Sequence, residues 1–207
     1  MIKAIIFDWG GVLIDDPAPG LTAYFAKALG VTGEALLNAY IKFALEFQKG
    51  MMSEDTLWER LCSELGVQKQ HNHSLWQDAV RQVYSPKKEM FSLASRLKDR
   101  GYKVGLLSNT ETAAMNYFCE QQYHMFDVTV FSCAEGTRKP EKRIYETVLD
   151  RLGVQSNEAV FIDDKEENID AAGELGIHGI LFTSPEQVKK ELASLLVDTE
   201  QELKSTS

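Results

Sequence analysis

Cysteine, histidine and basic residues are all scarce in this chain of 207 residues. The 3 cysteines are odd in number and lack the spacing of a zinc site, so neither a disulfide framework nor such a site is indicated. We expect the cysteines to be small buried residues: Cys62, Cys119 and Cys133. His71 and His73 lie in a polar stretch that is typical of a solvated loop.

Positive charge and long apolar runs are lacking as well. The 22 Lys and Arg residues stand against 31 Asp and Glu, and a net charge of -9 argues against nucleic acid as a partner. No apolar run reaches the ~18 residues of a membrane span, and no signal-peptide pattern precedes the first strand. We therefore expect a cytoplasmic protein, a monomer or homodimer, that acts on a small soluble substrate away from membranes.

Apolar runs of strand length alternate with helical periodicity over most of the chain. The runs lie at residues 3–7, 101–109, 127–132, 157–164 and 176–182. Stripes of helical spacing separate them, such as Met90, Ala94 and Leu97, then Ile144, Val148 and Leu152, then Ile169, Ala172 and Leu175. This alternation predicts an α/β fold with a parallel sheet and right-handed crossovers.

The stretch between the first two strands breaks the alternation. Residues 17–85 contain only helical stripes, such as Leu37, Tyr40, Ile41, Ala44 and Phe47, with breaks at "LGVTGE" and "LGVQKQ". We predict an all-helical cap of roughly four helices over residues 16–85, lying above the carboxyl edge of the sheet. The core would comprise residues 1–15 and 86–200, and residues 201–207 a flexible tail.

Polar residues follow the predicted strands at their carboxyl ends, which meet at one edge of a parallel sheet. They are Asp8, Ser108 with Asn109, Lys139 ahead of a helix, and the pair Asp163 and Asp164. Taken singly, each is more typical of a helix cap or a turn. Together, carboxylates this close would repel one another without a cation, and Mg²⁺ prefers such hard oxygen ligands. The set therefore predicts a site for Mg²⁺ and a phosphoryl group.

Four stretches in order resemble the motifs of the haloacid dehalogenase-like hydrolase superfamily. They are "FDWGGVLID", "LLSNT", "GTRKPEKRIYE" and "VFIDDKEENIDAA". A helical insertion directly after the first motif strengthens the resemblance, which covers nearly the whole chain. It implies a Rossmann-like core of three layers with a helical cap that closes over the site.

The resemblance also implies a role for each matched residue. Asp8 would be the nucleophile that forms an aspartyl-phosphate, and Lys139 would neutralise the charge that it shares with the phosphate. Ser108 would bind the phosphoryl group, with Asn109 shaping the loop. The implied Mg²⁺ ligands are Asp8, Gly10 through its backbone carbonyl, Asp163 and Asp164.

Gly10 departs from the family pattern. Phosphatases of this family carry an aspartate there, which protonates the leaving alkoxide and then activates water. Glycine does neither, and a general acid or base contributes ~10²–10⁴ in rate. We therefore expect a Mg²⁺-dependent phosphohydrolase of small phosphorylated metabolites with weakened acid/base catalysis, in which Asp15 or Asp16 is the candidate substitute.

Two alternatives stay open. A phosphonatase-like hydrolase of C–P bonds would also carry Trp and a small residue after the nucleophile, and would need a cap lysine such as Lys42 or Lys49 for a Schiff base. A catalytically impaired protein that binds a phosphorylated metabolite is the other. Dehalogenation is disfavoured, because those relatives have lost the metal carboxylates that Asp163 and Asp164 preserve.

Overall fold

A computed structural model describes the backbone of residues 1–68 and 74–205, and side chains up to residue 196. His71 and His73 therefore lie outside the described residues. No disulfide joins the three cysteines, of which Cys62 is buried and Cys133 is half-buried. The expectation of burial is wrong for Cys119, because it lies on the outer face of its helix and is exposed.

Five parallel strands form the central sheet, and each corresponds to a predicted apolar run. They are β1 (Ala4–Phe7), β2 (Lys103–Ser108), β3 (Val128–Phe131), β4 (Ala159–Asp163) and β5 (His178–Leu181). Their order in the sheet is β3-β2-β1-β4-β5. Phe7 pairs with Leu106 and Ile162, so Asp8 leaves the central strand level with the ends of both neighbours.

The first five described helices after β1 build the cap. They are α1 (Ala18–Leu29), α2 (Gly33–Tyr40), α3 (Ala44–Gln48), α4 (Glu54–Leu65) and α5 (Leu75–Val83). The described part of the cap thus has five helices, where the sequence suggested roughly four. At the predicted breaks, α1 and α4 end at Gly30 and Gly66, which both have a left-handed backbone. Thr32 then caps α2, because its side chain accepts a hydrogen bond from the Ala35 N–H.

The apolar stripe of the cap is only partly buried. Leu37 is 50% exposed and Ile41 is 76% exposed, so these two side chains of the stripe lie outside the core of the cap. The helix ends at Tyr40 and a new one begins at Ala44, and this interruption shifts the helical phase. α2 buries Leu36 and Ala39 instead.

The remaining helices cover both faces of the sheet. They are α6 (Lys88–Asp99), α7 (Thr112–Glu120), α8 (Ser132–Glu135), α9 (Lys142–Leu152), α10 (Glu166–Glu174) and α11 (Pro185–Ser205). Because alternate strand residues point to opposite faces, Ile5 and Phe7 pack with α6 and α11, while Ala4 and Ile6 pack with α9. The expected three-layer α/β core is confirmed.

The cap has a core of its own. Its centre is aromatic, because Phe25, Trp58 and Trp76 are in mutual ring contact and Phe47 contacts Trp76. Ala114 of α7 joins the same cluster, so the cap rests on the helix that follows β2. The proposed division of the chain at residues 15, 85 and 200 stays a prediction, as does the flexibility of residues 201–207.

Candidate active site at the carboxyl edge of the sheet

Lys139 lies between two carboxylates at the end of the central strands. Its Nζ is 2.6 Å from Asp8 Oδ1 and 2.6 Å from Asp163 Oδ2. Only 1% of the residue is exposed. Burial opposes the charge of Lys139, but the two carboxylates outweigh burial and raise its pKa, so the side chain stays a cation.

Asp8 has the most perturbed carboxyl of the site. Burial raises its pKa to about 7, and repulsion from Asp163 acts in the same direction. The positive charge of Lys139 lowers the pKa but does not outweigh burial. The Asp8 N–H donates to the Ile162 carbonyl at 2.8 Å, which fixes the residue to β4. A carboxyl with this pKa is only partly ionised at neutral pH, and a further positive charge beside Lys139 would favour its ionised form.

Asp163 is held by donors on both of its oxygens. Its Oδ2 accepts from Lys139, and its Oδ1 accepts from the Lys165 N–H and from Asn168 Nδ2, both at 2.9 Å. Asp163 thereby ties Lys139 to the start of α10. Its place among the metal ligands stays a prediction, because these donors already occupy lone pairs on both oxygens.

Asp164 has a buried oxygen, Oδ1, without a hydrogen-bond partner in the described part of the chain. Ligand oxygens of Asp8, Asp163 and Asp164 all lie within 4.8 Å of one another. Burial, followed by repulsion from Asp163, raises the pKa of Asp164. Three hard oxygen donors at this spacing, one of them unsatisfied, fit a Mg²⁺ ion.

Gly11 lets the first loop approach Asp164 closely. Its φ is +83°, and a Cβ added there would lie 2.3 Å from Asp164 Oδ2. A side chain at residue 11 would therefore strain the backbone and displace a carboxylate of the site.

Gly11→Ala should for this reason weaken both folding and metal binding. The left-handed backbone alone costs about 1–3 kcal/mol with a side chain. Gly101→Ala is the matched control, because Gly101 has φ +90° and nothing within 4 Å of an added Cβ. Urea unfolding with and without Mg²⁺ should show that Gly101→Ala keeps the stabilisation by Mg²⁺ and Gly11→Ala loses it. Equal stabilisation in both variants would contradict the assignment.

The side-chain amide of Asn109 forms two hydrogen bonds with the backbone of Lys139. Its Nδ2 donates to the Lys139 carbonyl at 2.9 Å, and its Oδ1 accepts from the Lys139 N–H at 2.8 Å. The loop after β2 thus positions the lysine, which agrees with a loop-shaping role. Ser108 is buried and lines the cavity beside Asp8.

A cavity of about 210 Å³ extends from this site into the cap. The core contributes Asp8, Ser108, Lys139 and Asp164 to its floor. The cap contributes mostly apolar walls, including Leu21, Phe25, Leu36, Trp58, Leu61 and Trp76. A ligand whose anionic end lies on the floor would place its other end among the cap side chains.

Comparisons with known proteins identify the family. The family model of the haloacid dehalogenase-like hydrolases matches residues 2–176, which include every predicted site residue. The chain belongs to this family. In the part of this hydrolase that the structure describes, no helix is both long and apolar enough to cross a membrane.

Two curated relatives are similar to this hydrolase over most of its length. Acyl-CoA dehydrogenase family member 10 of Mus musculus is 33% identical over 94% of the chain, but the chain spans only 19% of that protein. Sesquiterpene phosphatase astK of Aspergillus oryzae is 30% identical, with 94% of this chain and 96% of that protein covered.

A solved structure of the family contains magnesium and inorganic phosphate. The wild-type HAD family enzyme bt-2542 from Bacteroides thetaiotaomicron, in complex with magnesium and inorganic phosphate, superposes with a TM-score of 0.72. It is 25% identical, and the match covers 88% of this chain and 95% of that one. Members of this family are thus crystallised with both magnesium and phosphate.

The other candidate residues of this hydrolase differ in their positions. Asp16 lines the cavity, whereas Asp15 is exposed and lies 3.4 Å from Lys87 Nζ. Lys42 is exposed and bonds Glu64, and Lys49 forms an ion pair with Glu141. Neither lysine is among the side chains that line the cavity, so no contact favours the Schiff-base alternative.

Sequence reasoning missed a polar group at the cap end of the cavity. Glu111 is 6% exposed and accepts hydrogen bonds from Tyr40 Oη at 3.1 Å and Gln48 Nε2 at 3.3 Å. Burial raises the pKa of Glu111. The only sequence signal was its position directly after "LLSNT", which marks a strand end but not a partner 71 residues away.

Proposed function

We propose that this hydrolase is a Mg²⁺-dependent phosphohydrolase that works through an aspartyl-phosphate on Asp8. One observation carries the proposal. Asp8 and Lys139 lie on the floor of a cavity in which Asp164 presents a buried, unsatisfied oxygen. The phosphatase relative and the family structure with magnesium and phosphate support it.

In the first step an Asp8 oxygen attacks the phosphorus atom of the substrate. A bond forms from Asp8 to phosphorus, and the bond from phosphorus to the leaving oxygen breaks. Lys139 balances the charge on the phosphoryl oxygens, and Ser108 binds one of them. Bound at Asp8, Asp164 and the Gly10 carbonyl, Mg²⁺ would neutralise the remaining negative charge and orient the phosphoryl group.

In the second step water attacks the phosphorus atom and releases Asp8 with inorganic phosphate. The family's usual acid and base is missing at Gly10, so the leaving oxygen and the water both lack that proton partner. Asp16 is the better substitute of the two sequence candidates, because it lines the cavity and Asp15 does not. Substrates with weakly basic leaving groups should react best.

A panel of phosphate esters and anhydrides with Mg²⁺ tests the proposal. We expect multiple turnovers with acetyl phosphate and nitrophenyl phosphate, with a burst of leaving group if the second step is slow. Binding without any turnover over the whole panel would favour the non-enzymatic alternative. Release of inorganic phosphate from phosphonoacetaldehyde, but from no phosphate ester, would favour the phosphonatase.

Mg²⁺ should raise the melting temperature of the protein, and more so at higher pH. Because burial raises the pKa of Asp8 to about 7, Asp8 stabilises the metal-free fold only while protonated, and this stability is lost as pH rises from about 4 through 7. Mg²⁺ competes with that proton. At free Mg²⁺ 100-fold above its Kd, we expect the free energy of unfolding to increase by about 2.7 kcal/mol. The melting temperature should then rise by about 5–10 °C.

Scanning calorimetry at pH 6 and pH 8 measures this effect, and Asp164→Ala should remove it. Asp170→Ala is the matched control, because it deletes an exposed carboxylate of α10. A shift by Mg²⁺ of the same size in Asp164→Ala and wild type would exclude Asp164 as a ligand. A shift that is larger at pH 6 than at pH 8 would exclude Asp8.

A further inference from the structure

The cap end of the cavity contains a donor and an acceptor that the described residues leave unsatisfied. Trp76 is 3% exposed, and its indole Nε1 has no partner within hydrogen-bonding geometry. Gln48 Oε1 is also buried and has none. Both residues line the cavity that begins at Asp8. Buried polar atoms are rarely left unpaired, because each loses its hydration without compensation.

Glu111 brings this donor and this acceptor together. Gln48 directs its amide nitrogen to the Glu111 carboxyl, which leaves the amide oxygen as the unsatisfied atom. Burial raises the pKa of Glu111, and hydrogen bonding from the Trp76 indole is among the effects that lower it. Trp76 Nε1 thus points towards the Glu111 carboxyl, but the geometry falls short of a hydrogen bond. A ligand atom at this end therefore meets one N–H donor and one carbonyl acceptor.

The walls between this polar end and the floor are mostly apolar, with hydroxyls from Thr22 and Tyr84 in the lining. Leu21, Phe25, Leu36, Trp58 and Leu61 line them, and none has a side-chain polar group except the Trp58 N–H. That group already donates to Glu54 Oε1 at 2.9 Å. A ligand hydroxyl beside these five side chains would lose its water without gaining a partner, so an apolar group suits this part of the cavity better.

We propose that the substrate is the phosphate ester of an apolar alcohol that carries one further hydroxyl at the end remote from the phosphate. The remote hydroxyl accepts from Trp76 Nε1 and donates to Gln48 Oε1, so that both atoms are satisfied. This inference rests on the proposed function, because it takes the phosphate to lie at Asp8 and Lys139. The phosphatase relative acts on a sesquiterpene compound by its name, which agrees with an apolar group.

Binding of non-hydrolysable ligands tests the inference without turnover. Titration calorimetry with Mg²⁺ would compare inorganic phosphate with butyl-, hexyl-, octyl- and decylphosphonic acid, and each of these with its ω-hydroxy derivative. We expect affinity to rise with chain length until the cap end is reached. At that length the ω-hydroxyl should strengthen binding by about 3- to 10-fold, the range of one or two neutral hydrogen bonds. A pentitol phosphate should bind no better than inorganic phosphate.

Trp76→Phe should abolish the gain from the ω-hydroxyl, since phenylalanine keeps an aromatic ring and lacks the N–H. Trp58→Phe is the matched control. It removes the same indole group from the same aromatic cluster, but a group that already has a partner. Both variants should bind the plain alkyl chain somewhat more weakly, and only Trp76→Phe should lose the discrimination. If Trp76→Phe fails to fold, Gln48→Met at a half-buried position takes its place, and it should also abolish the gain from the ω-hydroxyl.

The outcomes separate this inference from the proposed function. If inorganic phosphate binds but neither chain length nor the ω-hydroxyl has an effect, the inference is wrong and the phosphate site stands. A gain with chain length but none from the ω-hydroxyl would also overturn it, because a bound water then satisfies Trp76 and Gln48. If inorganic phosphate and all phosphonates fail to bind with Mg²⁺ present, both proposals are wrong.

Discussion

Asp8→Asn should lower turnover of any phosphate ester by about 10³-fold or more, the scale of loss when a covalent nucleophile is removed. Asparagine has the size of aspartate but lacks the charge that attacks phosphorus. The fold should persist, because Lys139 keeps Asp163 as its partner at 2.6 Å. Steady-state rates and the circular dichroism spectrum would measure the two effects separately.

Asp16→Asn is the control for this experiment, because it makes the same chemical change at another residue that lines the cavity. It should leave the covalent step in place. Brief reaction with labelled acetyl phosphate should transfer label to wild type and to Asp16→Asn, but not to Asp8→Asn. Full activity in Asp8→Asn would exclude an aspartyl-phosphate on Asp8.

The floor of the site could be predicted because local rules determine it. Strand length and the parallel order fix where Asp8, Ser108 and Asp163 leave the sheet, and the family pattern adds Lys139. The sequence also marked the cap breaks at Gly30 and Gly66, since a left-handed helix end favours glycine. These features depend on neighbours within a few residues or on the edge that all parallel strands share.

The cap end of the cavity could not be predicted in the same way. Tyr40 meets Glu111 across 71 residues, and Gln48 meets it across 63. Such contacts depend on how the cap rests on α7, which helical periodicity does not encode. The exposed Leu37 and Ile41 show the same limit, because a stripe that crosses a helix break no longer describes one face.

Gly10→Asp should raise hydrolysis of alkyl phosphates by about 10-fold or more, a conservative part of the usual acid/base contribution. An alkyl phosphate must expel a strongly basic alkoxide, which needs a proton, whereas a nitrophenolate needs almost none. Gly10 lines the cavity and, unlike Gly11, is not among the glycines with positive φ. An added Cβ would lie 3.2 Å from Pro17 Cδ, so the aspartate fits if the proline ring shifts by a few tenths of an ångström.

Gly10→Asn separates the effect of the carboxyl from that of the added side chain. Both variants push equally on Pro17, but only aspartate can protonate the alkoxide and then activate water. Steady-state rates on one alkyl and one aryl phosphate should show a gain for Gly10→Asp that is large on the alkyl ester, small on the aryl ester and absent in Gly10→Asn. If wild type and Gly10→Asp share one leaving-group preference, another residue already supplies the proton. In that case Asp16 is the first residue to mutate in the search for that proton donor, because it lines the same cavity.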